Sequence, residues 1–242
     1  VTHATSQYSI AGQTVTMPVQ IRTAEQHMAM FSVDADAAQA MIDYSGLTVC
    51  RYRPGKAVVV LMLMRYIDGD LGPYLEYGTN VMVNPPGSTA SGLKALGEAG
   101  AFIHHLPVDG EFTMAAGRQI WGYPKLLADF TIRDGHSYSF DTHIDGQFAV
   151  GMDFKPGLPI PPAFTGKPQV HPTYSHLDGV TRRTSGQMIM SGVRYRPGGV
   201  TVRLGTHPYG RELAALGFPK RAMFSGSARN VEMTFADAEE IA

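Results

Sequence analysis

A chain of 242 residues, 44% of them hydrophobic, is long enough to bury a substantial core, and no shift in composition divides it, so residues 1 to 242 are read as one domain. Twenty Lys and Arg against 21 Asp and Glu leave a formal charge of -1. That balance gives no overall field for nucleic acid or anionic lipid, and neither is expected as a partner. A lone cysteine, Cys50, excludes an internal disulfide framework and suits a reducing, cytoplasmic compartment.

The first residues carry no basic stretch followed by an apolar one, so no signal peptide is expected. The longest apolar run, residues 57 to 64, is closed by Arg65, far short of the ~20 residues that span a bilayer. Along the chain, residues 12 to 33 read as extended, with Val15, Met17, Val19 and Ile21 alternating. Asp34 is placed to cap a helix over 35 to 42. Strands are expected at 56 to 67 and 74 to 83, separated by Asp68-Gly69-Asp70 and Gly72-Pro73. Residues 88 to 100 read as a surface loop or poor helix, 101 to 108 as a strand, and 112 to 121 as a short helix. A meander follows at 127 to 132, 138 to 144 and 148 to 154, with Asp-Gly turns at 134 and 145. Prolines and glycines over 155 to 172 predict an irregular connection. Strands resume at 187 to 193, 200 to 204 and 222 to 235, with a helix at 207 to 216 and a helix or tail at 236 to 242. Many short strands and few helices indicate an α+β chain, mainly antiparallel β, folded as a barrel or sandwich.

The segment Ala116-Gly117-Arg118-Gln119-Ile120-Trp121-Gly122-Tyr123-Pro124-Lys125 places a lysine among Trp, Tyr, Pro and the following Leu126 and Leu127. Desolvation disfavours a charged amine, and an uncharged amine attacks carbonyl carbon, so Lys125 is a candidate Schiff-base lysine. The alternative is a lysine that only closes a turn. This segment resembles the signature of the acetoacetate decarboxylase family, in which the lysine after Gly-aromatic-Pro forms the imine. The resemblance implies a cone-shaped β-barrel around an apolar pocket, a small keto-acid substrate, no cofactor, and commonly a homo-oligomer. It also matches Tyr74-Leu75-Glu76 to a family Tyr-X-Glu whose glutamate serves in proton transfer. Alternation puts Tyr74 on the same strand face as Glu76.

An ionised Glu76 beside Lys125 favours the ammonium, the wrong state for a nucleophile. Bringing a lysine from ~10.4 to near 7 takes about 4 to 5 kcal/mol, so burial must outweigh the pairing, or the carboxyl must carry the proton. Two positions depart from the family pattern. Leu126 stands where a second lysine is usual, and Leu61 falls at the spacing of an acidic residue in the preceding strand. Both are read as making the pocket more apolar, which moves acetoacetate itself into question.

Further candidates are weaker. Arg118 is placed either to hold a substrate carboxylate or to tie the loop to the barrel. Arg22 falls near a family arginine assigned to the substrate carboxylate. Gln119 stands where the family often has Glu, and one of His104 and His105 should face inward, His105 being taken as the substrate-binding candidate. Gly217-Phe218-Pro219-Lys220 repeats the Gly-aromatic-Pro-Lys pattern without the preceding Ala-Gly-Arg and reads as a solvated turn. His171 and His176 are spaced unlike a metal pair, so no metal is expected, and there is no phosphate-binding glycine loop or Gly-X-Ser-X-Gly elbow. The readings carried forward are decarboxylation of a β-keto acid through a Lys125 imine, a pyruvate aldolase-dehydratase or hydratase using the same lysine, and a non-catalytic apolar-ligand barrel.

Overall fold

A computed structural model describes residues 6 to 241. In chain order the strands and helices are β1 (Gln7–Ile10), β2 (Gln13–Thr16), β3 (Val19–Asp34), α1 (Ala35–Ile42), β4 (Lys56–Gly69), β5 (Tyr74–Val83), α2 (Gly92–Glu98), β6 (Gly100–Val108) and α3 (Glu111–Trp121). There follow β7 (Lys125–Leu127), β8 (Asp129–Asp134), β9 (Tyr138–Ile144), β10 (Gln147–Phe154), β11 (Leu158–Pro159), β12 (Gln169–Leu177) and β13 (Val180–Ser191). The chain ends with β14 (Arg194–Pro197), β15 (Val200–Leu204), α4 (Pro208–Ala215) and β16 (Phe224–Glu240). The expected lack of a signal peptide rests partly on the first five residues, which lie outside the described ones. No helix among the described residues is long and apolar enough to cross a membrane.

Strands β3, β4, β5, β6, β12, β13 and β16 pair in that order, and β16 pairs back onto β3 to close a seven-strand barrel. Only the β6–β12 contact in that ring is parallel. A second sheet, β15-β10-β9-β8, lies against the barrel's outside. Closure leaves no open edge along these strands, which suits strands as long as β3 and β16.

Period-two alternation sorts the side chains of β4 and β5 onto two faces. Leu61, Leu63, Tyr77 and Val81 pack outward against Phe140, Met152 and the rest of the second sheet. Met62, Met64, Tyr66 and Tyr74 face inward, with Leu106 and Val108 of β6 and Met233 of β16. Helix α3 brings Ala116, Ile120 and Trp121 into that inner cluster. Helix α1 begins as its sequence predicts, with the Asp34 carboxylate accepting from Asp36 and Ala37 N–H. The Asp145-Gly146 turn is also as predicted, both residues having positive φ, at 51° and 73°.

Of the two readings open for residues 88 to 100, the helix holds, as α2 over 92 to 98. Two expectations are corrected. The irregular connection ends at 168, because β12 already pairs with β13 from Gln169. Pro172 is tolerated there since pairing with β6 begins only at Thr173, leaving one strand edge with no partner to need its N–H. Residues 236 to 240 are strand rather than helix, paired as Thr184↔Ala238 and Arg182↔Glu240. The barrel's need for a neighbour to β13 overrides the local helix propensity of this alanine- and glutamate-rich end.

Candidate active site

Helix α3 and strand β7 form a tight reversal. Gly122 takes the left-handed conformation at φ 61°, and its N–H donates to the Arg118 carbonyl at 3.2 Å. Tyr123 N–H donates to the Gly117 carbonyl at 3.0 Å, and Pro124, lacking an N–H, prevents further helix. The chain re-emerges as β7, parallel to β6 with Leu106 opposite Lys125. The lysine side chain therefore runs back across the helix it has just left. At Gly117 an added Cβ would stand 2.5 Å from Lys125 Cδ and 2.7 Å from Cε. The glycine of the signature is the space the lysine occupies.

Lys125 Nζ lies 2.8 Å from Glu76 Oε2 and donates to Thr113 Oγ1 at 2.9 Å. The ring centroid of Tyr74 is 4.8 Å away. Glu76 Oε1 accepts from Tyr66 Oη at 2.8 Å, and the Tyr66 and Tyr74 rings stack at 4.1 Å. The pair is sealed, Lys125 being 2% exposed and Glu76 7%. Burial, and then the neighbouring Glu76 charge, push both tyrosines well above the ordinary phenol range, so their hydroxyls stay protonated donors. A surface cleft of about 380 Å³ is lined by Arg65, Pro73, Leu75, Asp109 and Ile132 together with Tyr66 and Tyr74. This arrangement offers a nucleophilic nitrogen, a carboxyl to take and return a proton at bonding distance, and a hydroxyl that orients each.

Of the residues singled out in the sequence, the fold brings together Lys125, Glu76 and Tyr74. Arg118 is exposed and donates from Nη1 to the Lys125 carbonyl at 3.1 Å, so it ties down the lysine's backbone. Gln119 is exposed on α3, off the buried cluster. Arg22 is turned to solvent and held by Asp68 at 2.8 Å and Asp70 at 2.7 Å, which corrects its placement at a substrate carboxylate. His105 also points away. It pairs across from Thr79, on the outer face of β6, with Nε2 3.1 Å from Glu212 Oε2 and its ring stacked on Tyr209 at 3.5 Å. Burial lowers its pKa to about 4.

The two family departures fall outside the site as well. Leu61 packs in the outer core, and Leu126, next to Lys125 in a strand, packs toward that same core. The strand residues beside Glu76 on the inner face are Met62 and Met64 instead. Lys220 is half-buried and donates to the carbonyls of Ser32 at 3.0 Å and Leu216 at 3.2 Å, closing the end of α4. Thr113 and Tyr66 escaped the sequence reading. Thr113 lies one helical turn before Gly117, on the face that meets the lysine, and that spacing was the available signal. Tyr66 stands directly across from Tyr74, a register the sequence alone does not reveal.

Solved structures share this architecture. An acetoacetate decarboxylase from Legionella pneumophila matches with a TM-score of 0.67 and 18% identity, over 93% of this chain and 87% of its own. The enduracididine biosynthesis enzyme MppR complexed with pyruvate matches at 0.60 and 17%, over 93% and 90%. An acetoacetate decarboxylase-like enzyme from Sphingomonas wittichii RW1 matches at 0.60 and 13%, over 96% of each chain. Curated protein sequences give no match. The family profile described as acetoacetate decarboxylase (ADC) covers residues 5 to 237. With nearly the whole length matched, and with the barrel to accompany it, this chain belongs to the acetoacetate decarboxylase family.

Proposed function

We propose that the protein is a Schiff-base-forming lyase that decarboxylates a small β-keto acid, with Lys125 as nucleophile and Glu76 as proton carrier. The observation that carries the reading is the 2.8 Å contact between two nearly solvent-free groups of opposite acid-base character. Transfer of one proton from Nζ to Oε2 across that contact gives the neutral amine that attacks and the carboxyl that supplies the first proton. The amine adds to the ketone carbon, the carboxyl protonates the oxygen, and loss of water gives the iminium. The electrons of the bond to the carboxylate then flow into the iminium as CO2 departs. A proton taken up from solvent restores the Glu76 carboxyl, which protonates the resulting enamine; water then adds to the iminium, and release of the product ketone and the free lysine returns a proton to Glu76.

Decarboxylation is placed ahead of aldol chemistry because of what surrounds the lysine. Met62, Met64, Leu106 and Val108 share its face, while Arg22 and Arg118 are committed elsewhere. A substrate carboxylate held among apolar groups is poorly solvated, and its loss as CO2 disperses that charge. The second reading, an iminium of pyruvate that adds to an aldehyde, draws support from the fold shared with the pyruvate-complexed MppR. A barrel that only binds apolar ligands is disfavoured, since it needs neither a buried amine nor a buried carboxylate.

Borohydride reduction in the presence of acetoacetate or pyruvate, followed by intact mass and peptide mapping, decides among these. An adduct at Lys125 with acetoacetate, together with CO2 release, is the expected result. Trapping with pyruvate alone points to the aldolase reading. Absence of any adduct, or one that maps to Lys220, overturns the imine proposal.

A further inference from the structure

On the far side of the wall that holds Lys125, two histidines and a glutamate converge. His104 Nε2 lies 2.7 Å and His105 Nε2 3.1 Å from the same oxygen, Glu212 Oε2. Consecutive strand residues ordinarily point to opposite faces. Here the β5–β6 register slips between Thr79↔His105 and Asn80↔Ile103, leaving His104 as the extra residue of a bulge. The bulge turns both imidazoles to one side, and bulges of this kind re-aim side chains.

We propose that His104, His105 and Glu212 form a site for a divalent transition metal, with zinc as its best-suited occupant. The donor atoms lie within 4.8 Å of one another. Donors about 2.0 to 2.2 Å from a tetrahedral zinc stand roughly 3.3 to 3.5 Å apart, so only a small adjustment is needed. Imidazole and carboxylate are donors that zinc accepts readily, and three protein ligands leave a fourth position for water. Glu212 is 41% exposed, which gives the ion a way in, whereas the histidine side chains are 8% and 5% exposed and already oriented.

The outer groups fit the same role. His104 Nδ1 lies 2.8 Å from Tyr44 Oη, a hydroxyl able to accept from Nδ1–H and so present Nε2 as a lone pair. His105 stacks on Tyr209 at 3.5 Å and lies tilted against His104 at 4.1 Å, and its Nδ1 has no partner among the described residues. No donor holds Nδ1 as an acceptor, so the ring can carry its proton there and present the Nε2 lone pair to a metal. The ion would pin α4 to the bulge of β6, one residue from the Leu106 that backs Lys125. Sequence spacing hides such a site, because adjacent histidines suggest opposite faces and the third ligand comes from a distant helix.

The test is titration of chelator-treated full-length protein with zinc chloride by calorimetry, with cobalt chloride as an optical probe of tetrahedral geometry. One zinc per chain and a tetrahedral cobalt spectrum are expected. Glu212→Gln and His104→Asn should each weaken zinc binding at least tenfold while far-ultraviolet circular dichroism stays unchanged. Glu212→Gln, at a partly exposed helix position, keeps the test valid if the histidine variant fails to fold. No binding at micromolar zinc, or binding unaltered by either substitution, overturns the proposal.

Discussion

Gly117 decides how close helix and lysine come. A methyl group there would overlap the middle of the Lys125 side chain, at 2.5 to 2.7 Å from two of its carbons. Because Ala is about 1 kcal/mol better than Gly inside a helix, Gly117→Ala should leave α3 formed and the melting temperature within a few degrees of wild type. Imine trapping should fall by roughly 100-fold as Nζ is displaced from Glu76, since misplacement of about 1 Å costs on that order. A trapping rate equal to wild type would mean the lysine reaches the substrate from another conformation. Tyr66→Phe probes the other end of the pair. It removes the hydroxyl that donates to Glu76 Oε1 at 2.8 Å and leaves the stack on Tyr74. Loss of one buried hydrogen bond to a charged group predicts destabilisation of about 1.5 to 3 kcal/mol by urea unfolding. A drop in kcat with little change in KM is also expected, because the hydroxyl touches the proton carrier and not the substrate's bound portion.

At the scale of elements, the reversal from α3 into β7 is what sequence chemistry specified best. Gly122 supplies the left-handed cap, Pro124 forbids more helix, and the lysine follows at once. Gly122→Ala should therefore cost about 1 to 2 kcal/mol, from the positive φ, with further disturbance of Arg182, whose Nη1 lies 2.5 Å from where the new Cβ would stand. Thermal unfolding with and without the substitution measures it. What stayed hidden were features set by pairing partners. Alternation alone could have told that Leu126 faces away from Lys125, but the face of Leu61 depends on how β4 meets β5, and register is not written in one strand. The same holds for the β6 bulge that carries His105 away from the site, and for 236 to 240, whose strand state is imposed by β13.

The whole molecule adds a joint between barrel and second sheet, and His27 sits in it. From β3 its ring stacks on Tyr138 of β9 at 3.5 Å and tilts against Phe154 of β10. Burial lowers the His27 pKa to about 4, with the Asp134 charge opposing that only in part. A folded-state pKa below the unfolded value of ~6.5 means the unfolded chain takes up the proton first, so stability falls as pH drops from about 6.5 toward 4. Between pH 7 and pH 5 this one group removes up to about 2 kcal/mol. His27→Phe keeps an aromatic ring against Tyr138 and has nothing to titrate. Urea unfolding at both pH values should thus show wild type losing more stability than the variant, by that amount. Equal losses in the two proteins would place the acid sensitivity at other groups and leave the joint of the two sheets indifferent to pH.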